Sequence, residues 1–545
     1  SLFMDILGLA LLVGVLYFLT RSFRAAGLKD PKRTLLPLIL LLLILVAGFL
    51  AEGVRLSIVD PGDAWSCPVG WVLSMGLPAS PLLMQMMIRL HFFAVLVFFA
   101  TLPFTFMHHA VTASMNVYYR RTGPRGDLRP LDMDGGPLGA ATVRDLSWKQ
   151  LLDAEACVSC GRCEENCPAF ISGKPLSPQK VVRNIREQMQ AAARPEAHKE
   201  PAYTPLLEDD LTWDEIWACT TCMACVEHCP VFIEPMDKII DMRRYQVLGK
   251  GLLPAEAMPI LRNLEIFGDV QGKGIACRKD WALGMEVPVL SAGGGKGEVL
   301  LWVGCSGAFH PRHQEIVRAL VKILEAARVS FAILAKEELC CGDPARRLGN
   351  EALFLELAGK NIDRFRAYQV KRIVTLCPHC LNALKNEYPR LGSATGAKEE
   401  MDIEVLHATE LVMRLIEERR IVPKYPMKKR GTIHDPCYLG RVNQIYEPPR
   451  ALIRAVPELR LVELQRHREH GFCCGGGGGR MWLHEDLGRR ISQIRAQEAV
   501  ETGIDLLGTA CPYCLTMLED GIKALEVGRP PKVLDVIEIV ASSIG

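Results

Sequence analysis

The pattern of apolar and polar residues changes character along this chain. Three long apolar stretches crowd the first hundred or so positions: 2–20 (LFMDILGLALLVGVLYFLT), 35–51 (LLPLILLLLILVAGFLA) and 82–110, which ends HFFAVLVFFATLPFTFMHHA. Each approaches the length a helix needs to cross about 30 Å of hydrocarbon, so three transmembrane helices are predicted. The first lacks the basic start and small-residue cleavage site of a signal peptide. Past residue 116 the sequence is ordinary globular protein. A helical period runs through QKVVRNIREQMQAAA, and from about 297 strand-like runs alternate with helical ones. GEVLLWVG precedes a helix from about 311; RIVTL precedes CPHCLNALKNEY; GTIHD and LRLVEL follow; DLLGTA precedes CPYCLTMLEDGIKAL. The fold class expected is multi-domain: a transmembrane α-helical bundle, an all-α domain and α/β domains.

Charge orients the apolar end. RSFRAAGLKDPKR, between the first two stretches, is strongly basic, whereas the next loop sets Glu52, Asp60 and Asp63 against Arg55. YYRRTGPRGDLR, after the third, is basic again. Basic flanks stay on the cytoplasmic side. The expected location is the cytoplasmic (inner) membrane, multi-pass, with everything from about residue 116 in the reducing cytoplasm. A net charge of +2, with 23% charged residues, offers no global field to attract nucleic acid.

The compartment decides how the twenty cysteines are read, because in a reducing space regular cysteine groups point to metal. Residues 157–168 read CVSCGRCEENCP and 219–230 read CTTCMACVEHCP, each a C-x2-C-x2-C-x3-C-P run. Three thiolates of such a run converge on one iron–sulfur cubane while the fourth reaches the other cluster. The expected sets are Cys157, Cys160 and Cys163 with Cys229, and Cys219, Cys222 and Cys225 with Cys167, holding two [4Fe-4S] clusters. Zinc sites use two C-x2-C pairs without the x3-C-P ending. The long helical spacer between the runs resembles the alpha-helical ferredoxin domain of the succinate dehydrogenase and heterodisulfide reductase families.

The last 250 or so residues contain a repeat. Cys305, Cys340, Cys341, Cys377 and Cys380 recur as Cys437, Cys473, Cys474, Cys511 and Cys514 at a nearly constant offset, which marks duplication. These cysteines stand at the carboxyl ends of predicted strands, where α/β sheets place their ligand sites. VGCSG, LCCGDP, LCPHC and their counterparts HDPCYLG, FCCGGG and ACPYC resemble the CCG domains of heterodisulfide reductase and related proteins. The resemblance implies two duplicated α/β CCG domains, each binding a non-cubane iron–sulfur cluster through five cysteines; an ordinary cubane in each copy, or one empty copy, stays open. In FCCGGGGGR the glycines supply positive φ and bring backbone amides close to a negative cluster. GGGGGR lacks the Lys-Ser/Thr of a phosphate-binding loop, and GGGKGEVLL precedes its strand, the wrong context for a dinucleotide fingerprint. Cys67 and Cys277 fall outside every group.

Histidines in a membrane span are costly and usually functional. His91 and His109 stand eighteen residues apart, which on one continuous helix is five turns, or about 27 Å along one face. RLHFFAVLVFFATLPFTFMHH resembles the last transmembrane helix of the nitrate reductase gamma-subunit family. There such histidines are axial ligands of one or two haem b groups. The resemblance implies that haem-ligand helices are supplied by a segment or subunit beyond these three spans.

A gamma-subunit-like membrane part joined to a helical ferredoxin and two CCG domains resembles the membrane-bound electron-transfer-flavoprotein:menaquinone oxidoreductases. The layout expected is 1–115 transmembrane, 116–145 linker, 146–250 ferredoxin, 251–295 linker, 296–420 first CCG and 421–545 second CCG. The function implied is quinone-linked electron transfer, from a reduced electron-transfer flavoprotein or other soluble redox partner, through iron–sulfur clusters and haem b, to menaquinone in the lipid. Two alternatives stand beside it. One is a menaquinol-oxidising enzyme that reduces a disulfide or trisulfide at a CCG cluster, and the other is a non-catalytic membrane anchor and relay for a soluble dehydrogenase.

Overall fold

The computed structural model describes residues 2–24, 31–59, 64–133, 135–193, 204–207, 211–290, 298–391 and 402–544. Asp60, Asp63, residues 25–30 of the first basic loop and most of the glycine-rich stretch before GEVLLWVG lie outside them. The chain forms two compact units, Ser1–Met115 and Asn116–Gly545.

In the first unit, α1 (Leu2–Arg24), α2 (Pro31–Ile58) and α4 (Pro81–Thr101) carry the apolar stretches, and α3 (Pro68–Ser74) is a short helix between α2 and α4. Leu2–Ser22, Leu35–Ile58 and Pro81–Phe104 are long and apolar enough to cross a bilayer. Phe92, Phe93 and Phe99 on α4 are 62%, 65% and 63% exposed, an apolar surface suited to lipid. The third stretch departs from the expected continuous helix over 82–110. α4 ends at Thr101, a single tight turn follows at Leu102–Phe104, and α5 (His108–Tyr118) begins afresh. Pro103 lacks the N–H a helix needs, and Thr105 adopts extended backbone. His91 and His109 therefore sit on different helices and do not share one helical face.

In the second unit, α6 (Trp148–Ala156) opens the all-α domain behind a Ser147 cap, with Gln150 reaching back to the Ser147 amide. Helices Pro178–Ala192 and Pro235–Arg244 flank the two cysteine runs. A buried charge knot ties the domain together: Asp153 accepts from Lys149 (2.6 Å), Lys238 (2.7 Å) and Asn116 (2.9 Å). Two four-stranded parallel sheets follow. β1 (Val299–Trp302), β2 (Phe331–Ala332), β3 (Arg372–Thr375) and β4 (Glu404–His407) take the order β2-β1-β3-β4. β5 (Lys429–Ile433), β6 (Leu459–Leu461), β7 (Leu506–Thr509) and β8 (Lys532–Asp535) repeat it as β6-β5-β7-β8. In the central pairs Leu301 faces Val374 and Thr432 faces Leu507. The shared order is the structural counterpart of the cysteine repeat.

One hydrophobic core runs from Leu128 to Val540, through the all-α domain and both sheets. The stretches expected as linkers belong to it: Leu128, Ala140 and Val143 of the first, Leu264 and Trp281 of the second. Ion pairs cross the domain boundaries, buried at Glu351 and half-buried at Arg312. Arg244 and Arg346 share Glu351, and Arg312 joins Glu519 and Glu538.

Candidate iron–sulfur sites and the seam between them

The two cysteine runs are folded alike. Ser159 (φ 54) and Gly161 (φ 83) in the first match Thr221 (φ 51) and Met223 (φ 64) in the second. Two left-handed residues per run wrap the loop so that its sulfurs and amides turn inward, and the Thr221 amide donates to Cys219 Sγ at 3.4 Å. The Cys163 thiol lies beside Cys157, Cys229 and Cys160. Cys167 lies with Cys222 and Cys219, and Cys225 with Cys167, Cys219 and Cys222. The fourth cysteine of each run thus joins the first three of the other. Cys160 is exposed, whereas Cys219 and Cys222 are buried.

Each CCG copy draws together five thiols: one after its first strand, the vicinal pair from the loop after its second, and two after its third. After β1 the chain turns at Gly304 (φ +70) into Cys305. Thiol contacts then run Cys305–Cys340–Cys341–Cys380–Cys377. The second copy repeats the order as Cys437–Cys473–Cys474–Cys514–Cys511, with Cys514 and Cys474 sulfurs 3.3 Å apart. All ten are buried, and among the described residues, which include all twenty cysteines, none is in a disulfide.

Electrostatics tests whether these groups suit iron. Burial, reinforced by Cys157, pushes the Cys163 thiol up to about 12, and burial pushes Cys219 up to about 11. Converging thiols of this kind ionise together only against a bound cation. Amides also point at the sulfurs: Gly475 N–H to Cys473 Sγ at 3.3 Å and Gly476 N–H to Cys474 Sγ at 3.5 Å. Soft sulfur ligands in a ring of backbone donors fit iron–sulfur clusters.

The four groups are not separate. The Cys222 and Cys473 thiols lie beside one another, joining the second run to the second CCG site. Cys377 faces Cys511 across the two CCG copies. In space the order is first run, second run, second CCG, first CCG, so the copy met first along the chain lies at the end of the array. The seam explains two of the five glycines. A Cβ on Gly477 would stand 2.4 Å from the Thr220 carbonyl oxygen, and one on Gly478 (φ +64) 2.5 Å from that of Cys219. These glycines let one cysteine loop lie directly on the backbone of the other, beyond their expected approach to a cluster.

Three buried arginines surround the array, none of which the cysteine spacing points to. Arg243 donates to the carbonyls of Ile216, Cys219, Arg347 and Gly478, and stacks 4.7 Å over the Trp217 ring. Arg441 donates to the carbonyls of Cys222, Glu469 and Gly471, beside the Cys222, Cys437 and Cys473 thiols. Among the described residues neither has a carboxylate partner. Burial lowers the Arg243 guanidinium to about 10, which leaves it a cation at neutral pH. Arg278 lies 3.8 Å from Cys305 Sγ and pairs with Glu338 at 2.7 Å. Fixed cations here offset the negative charge of reduced clusters.

In the membrane unit, His91 Nδ1 donates to the Ile44 carbonyl at 2.9 Å, and Gly48 makes room for the ring, since a Cβ there would stand 3.2 Å from Nδ1. His109 Nδ1 donates to the Phe106 carbonyl. A carbonyl on Nδ1 directs the other ring nitrogen, Nε2, away from that bond, the tautomer also found in metal-bound histidines.

Comparison with known proteins agrees with this layout. The family model of a 4Fe-4S dicluster domain matches residues 153–233, and that of a cysteine-rich CCG domain matches 299–385 and 431–519. The chain is 36% identical to "Probable iron-sulfur-binding oxidoreductase FadF" of Bacillus subtilis, over 100% of this chain and 83% of the relative. It is 35% identical to "EtfAB:quinone oxidoreductase" of Syntrophomonas wolfei, over 98% and 81%. It is 30% identical to one component of the dihydromethanophenazine:CoB–CoM heterodisulfide reductase of Methanosarcina barkeri, over 74% of this chain and 97% of that one. With both cysteine runs and both CCG copies inside the matched residues, this chain belongs to the family of iron–sulfur oxidoreductases that includes FadF and the EtfAB:quinone oxidoreductase.

Proposed function

We propose that this protein takes electrons from a reduced electron-transfer flavoprotein and delivers them to menaquinone in the cytoplasmic membrane. The observation that carries this reading is the unbroken array of eighteen cysteine thiols, joined at Cys222–Cys473 and Cys377–Cys511. The two runs and two CCG copies would hold iron–sulfur clusters, and His91 and His109 haem b, all carriers of single electrons. The chain's own residues provide the rest. The glycine loop sets two sites edge to edge, the shared core keeps water from the buried thiols, and Arg243 and Arg441 hold positive charge at the junction. The exposed Cys160 end and the far CCG end give the array two termini, one for each exchange partner. The basic flanks of the spans support a cytoplasmic array, and the relative named for EtfAB and quinone supports the two partners.

The test is anaerobic. Reduced flavoprotein added to the purified protein should reduce its haem, seen at the Soret band, and menaquinone should reoxidise it. Rapid haem reduction by menaquinol but none by the flavoprotein would overturn the reading.

One feature favours a second reading, menaquinol-driven reduction of a disulfide or trisulfide. Between the CCG copies, His379 stacks on Tyr438 at 4.1 Å, lies 4.9 Å from Tyr513, and meets Asp343 at 3.0 Å. Such a buried polar cluster between two sulfur sites suits protonation of the thiols that a reduced disulfide releases. Turnover of an added trisulfide by menaquinol distinguishes it.

A further inference from the structure

The two CCG copies share a feature beyond their cysteines. Trp302 stands three residues before Cys305, and His434 three residues before Cys437. The two rings occupy the same position at the end of equivalent strands, β1 and β5. Both residues are 0% exposed. Each carries one ring nitrogen, Trp302 Nε1 and His434 Nε2, that is buried and has no hydrogen-bond partner among the described residues. Orphaned buried N–H groups are rare in folded proteins and call for an acceptor.

Both rings stand beside the sulfur sites. His434 has a ring nitrogen within 4.8 Å of the Cys474 and Cys514 sulfurs. In the first copy, a Cβ on Gly304 would stand 3.4 Å from Cys380 Sγ and 4.0 Å from Trp302 Nε1, so indole and thiol border the same point. Cys380 and Cys514 are themselves counterparts in the repeat.

The chemistry of the rings tells donor from ligand. An indole N–H only donates. His434 could in principle bind iron, but Arg495 Nε donates to its Nδ1 at 3.1 Å. An arginine N–H cannot accept, so Nδ1 holds a lone pair and the proton of the neutral ring sits on Nε2. Among the described residues Trp302 has no such cation on its ring; Arg495, itself paired with Glu498 at 2.9 Å, polarises only the second donor.

We infer that Trp302 and His434 are matched N–H donors to the sulfur atoms of the two CCG clusters, the second strengthened by Arg495, so that the two copies differ in reduction potential. The inference rests on clusters occupying these sites. A hydrogen bond to cluster sulfur favours the more negative, reduced state and raises the potential. The copy nearer the ferredoxin runs is then the better electron acceptor of the two.

The experiment is an EPR-monitored redox titration of the full chain, with iron measured on the same sample. His434→Phe should move the second CCG midpoint to lower potential and leave the first in place, and Trp302→Phe should do the reverse. The unsubstituted protein supplies a check independent of either variant's folding. Deuterium exchange should shift its Fe–S stretching bands in resonance Raman spectra, and pulsed EPR should show only weak nitrogen coupling at the second site. An unmoved midpoint at full iron content, or the strong coupling of an iron-bound imidazole, overturns the inference. Absence of CCG iron from the unsubstituted protein would instead refute the clusters themselves, and the donors with them.

Discussion

Arg441 Nε donates a 2.7 Å hydrogen bond to the carbonyl of Cys222, so a residue of the second CCG copy holds the backbone of the second ferredoxin run. Its side chain projects from the π-helical turn Tyr438–Val442 directly after Cys437. Such turns recur at functional sites. Replacing it by Met should leave the Cys222, Glu469 and Gly471 carbonyls short of a charged donor, at a cost of about 3 kcal/mol. It should also lower the midpoints of the two adjoining clusters. Chemical denaturation and redox titration of Arg441→Met check both, and unchanged midpoints would separate the cation from the redox chemistry.

The glycine loop gives a steric prediction. Gly478→Ala places a methyl 2.5 Å from the Cys219 carbonyl on backbone with φ +64. The expected loss is at least about 2 kcal/mol, with iron lost from the second run and the second CCG site together. Gly359, inside helix Glu351–Ala367 with nothing within 4 Å, is the control. Gly359→Ala should gain about 0.5–1 kcal/mol and keep full iron content.

In the membrane unit, His109→Ala should remove one haem signal and quinone-linked turnover while leaving the cluster EPR signals intact. His91→Ala should do the same for the other haem. Optical spectra and turnover with a soluble menaquinone analogue decide it; full turnover in His109→Ala would remove that residue from the path.

Burial pushes the Glu234 carboxyl up to about 7 from an ordinary 4.5, with Asp237 adding to the shift and Arg121 opposing it. The folded state therefore holds this proton more tightly than the unfolded chain. The resulting stability is fully present below pH 4.5 and is lost as pH rises through 7, a change of about 3 kcal/mol. Glu234→Gln should flatten that slope, so its Tm falls less than that of the unsubstituted protein between pH 4.5 and 8. Parallel Tm profiles would contradict it.

Much of this was legible because cysteine spacing is a local signal. C-x2-C-x2-C-x3-C-P and the constant offset of the CCG cysteines specify the groupings the structure shows, down to the exchange of Cys167 and Cys229 between runs. Strands rich in β-branched residues, such as RIVTL at β3, announced themselves, whereas the two-residue β2 and the partly charged EVLH of β4 carried too little pattern. The third span misled because apolar composition continued through Pro103, and length outweighed a break that a single proline signalled. The seam could not be foreseen at all. Arg441 and Arg243 look like ordinary surface cations until the fold buries them, and nothing in CTTC or GGGGG says that one lies against the other. His434 stood in the quoted HDPC, but its meaning depends on Arg495 sixty-odd residues away.

The glycine loop lying on the Cys219–Thr220 backbone also bears on how such a protein is made. Two neighbouring sites that share a wall take their final shape in one packing step. Metal binding there is coupled to folding, because the ligands of both sites are brought together by the same contact.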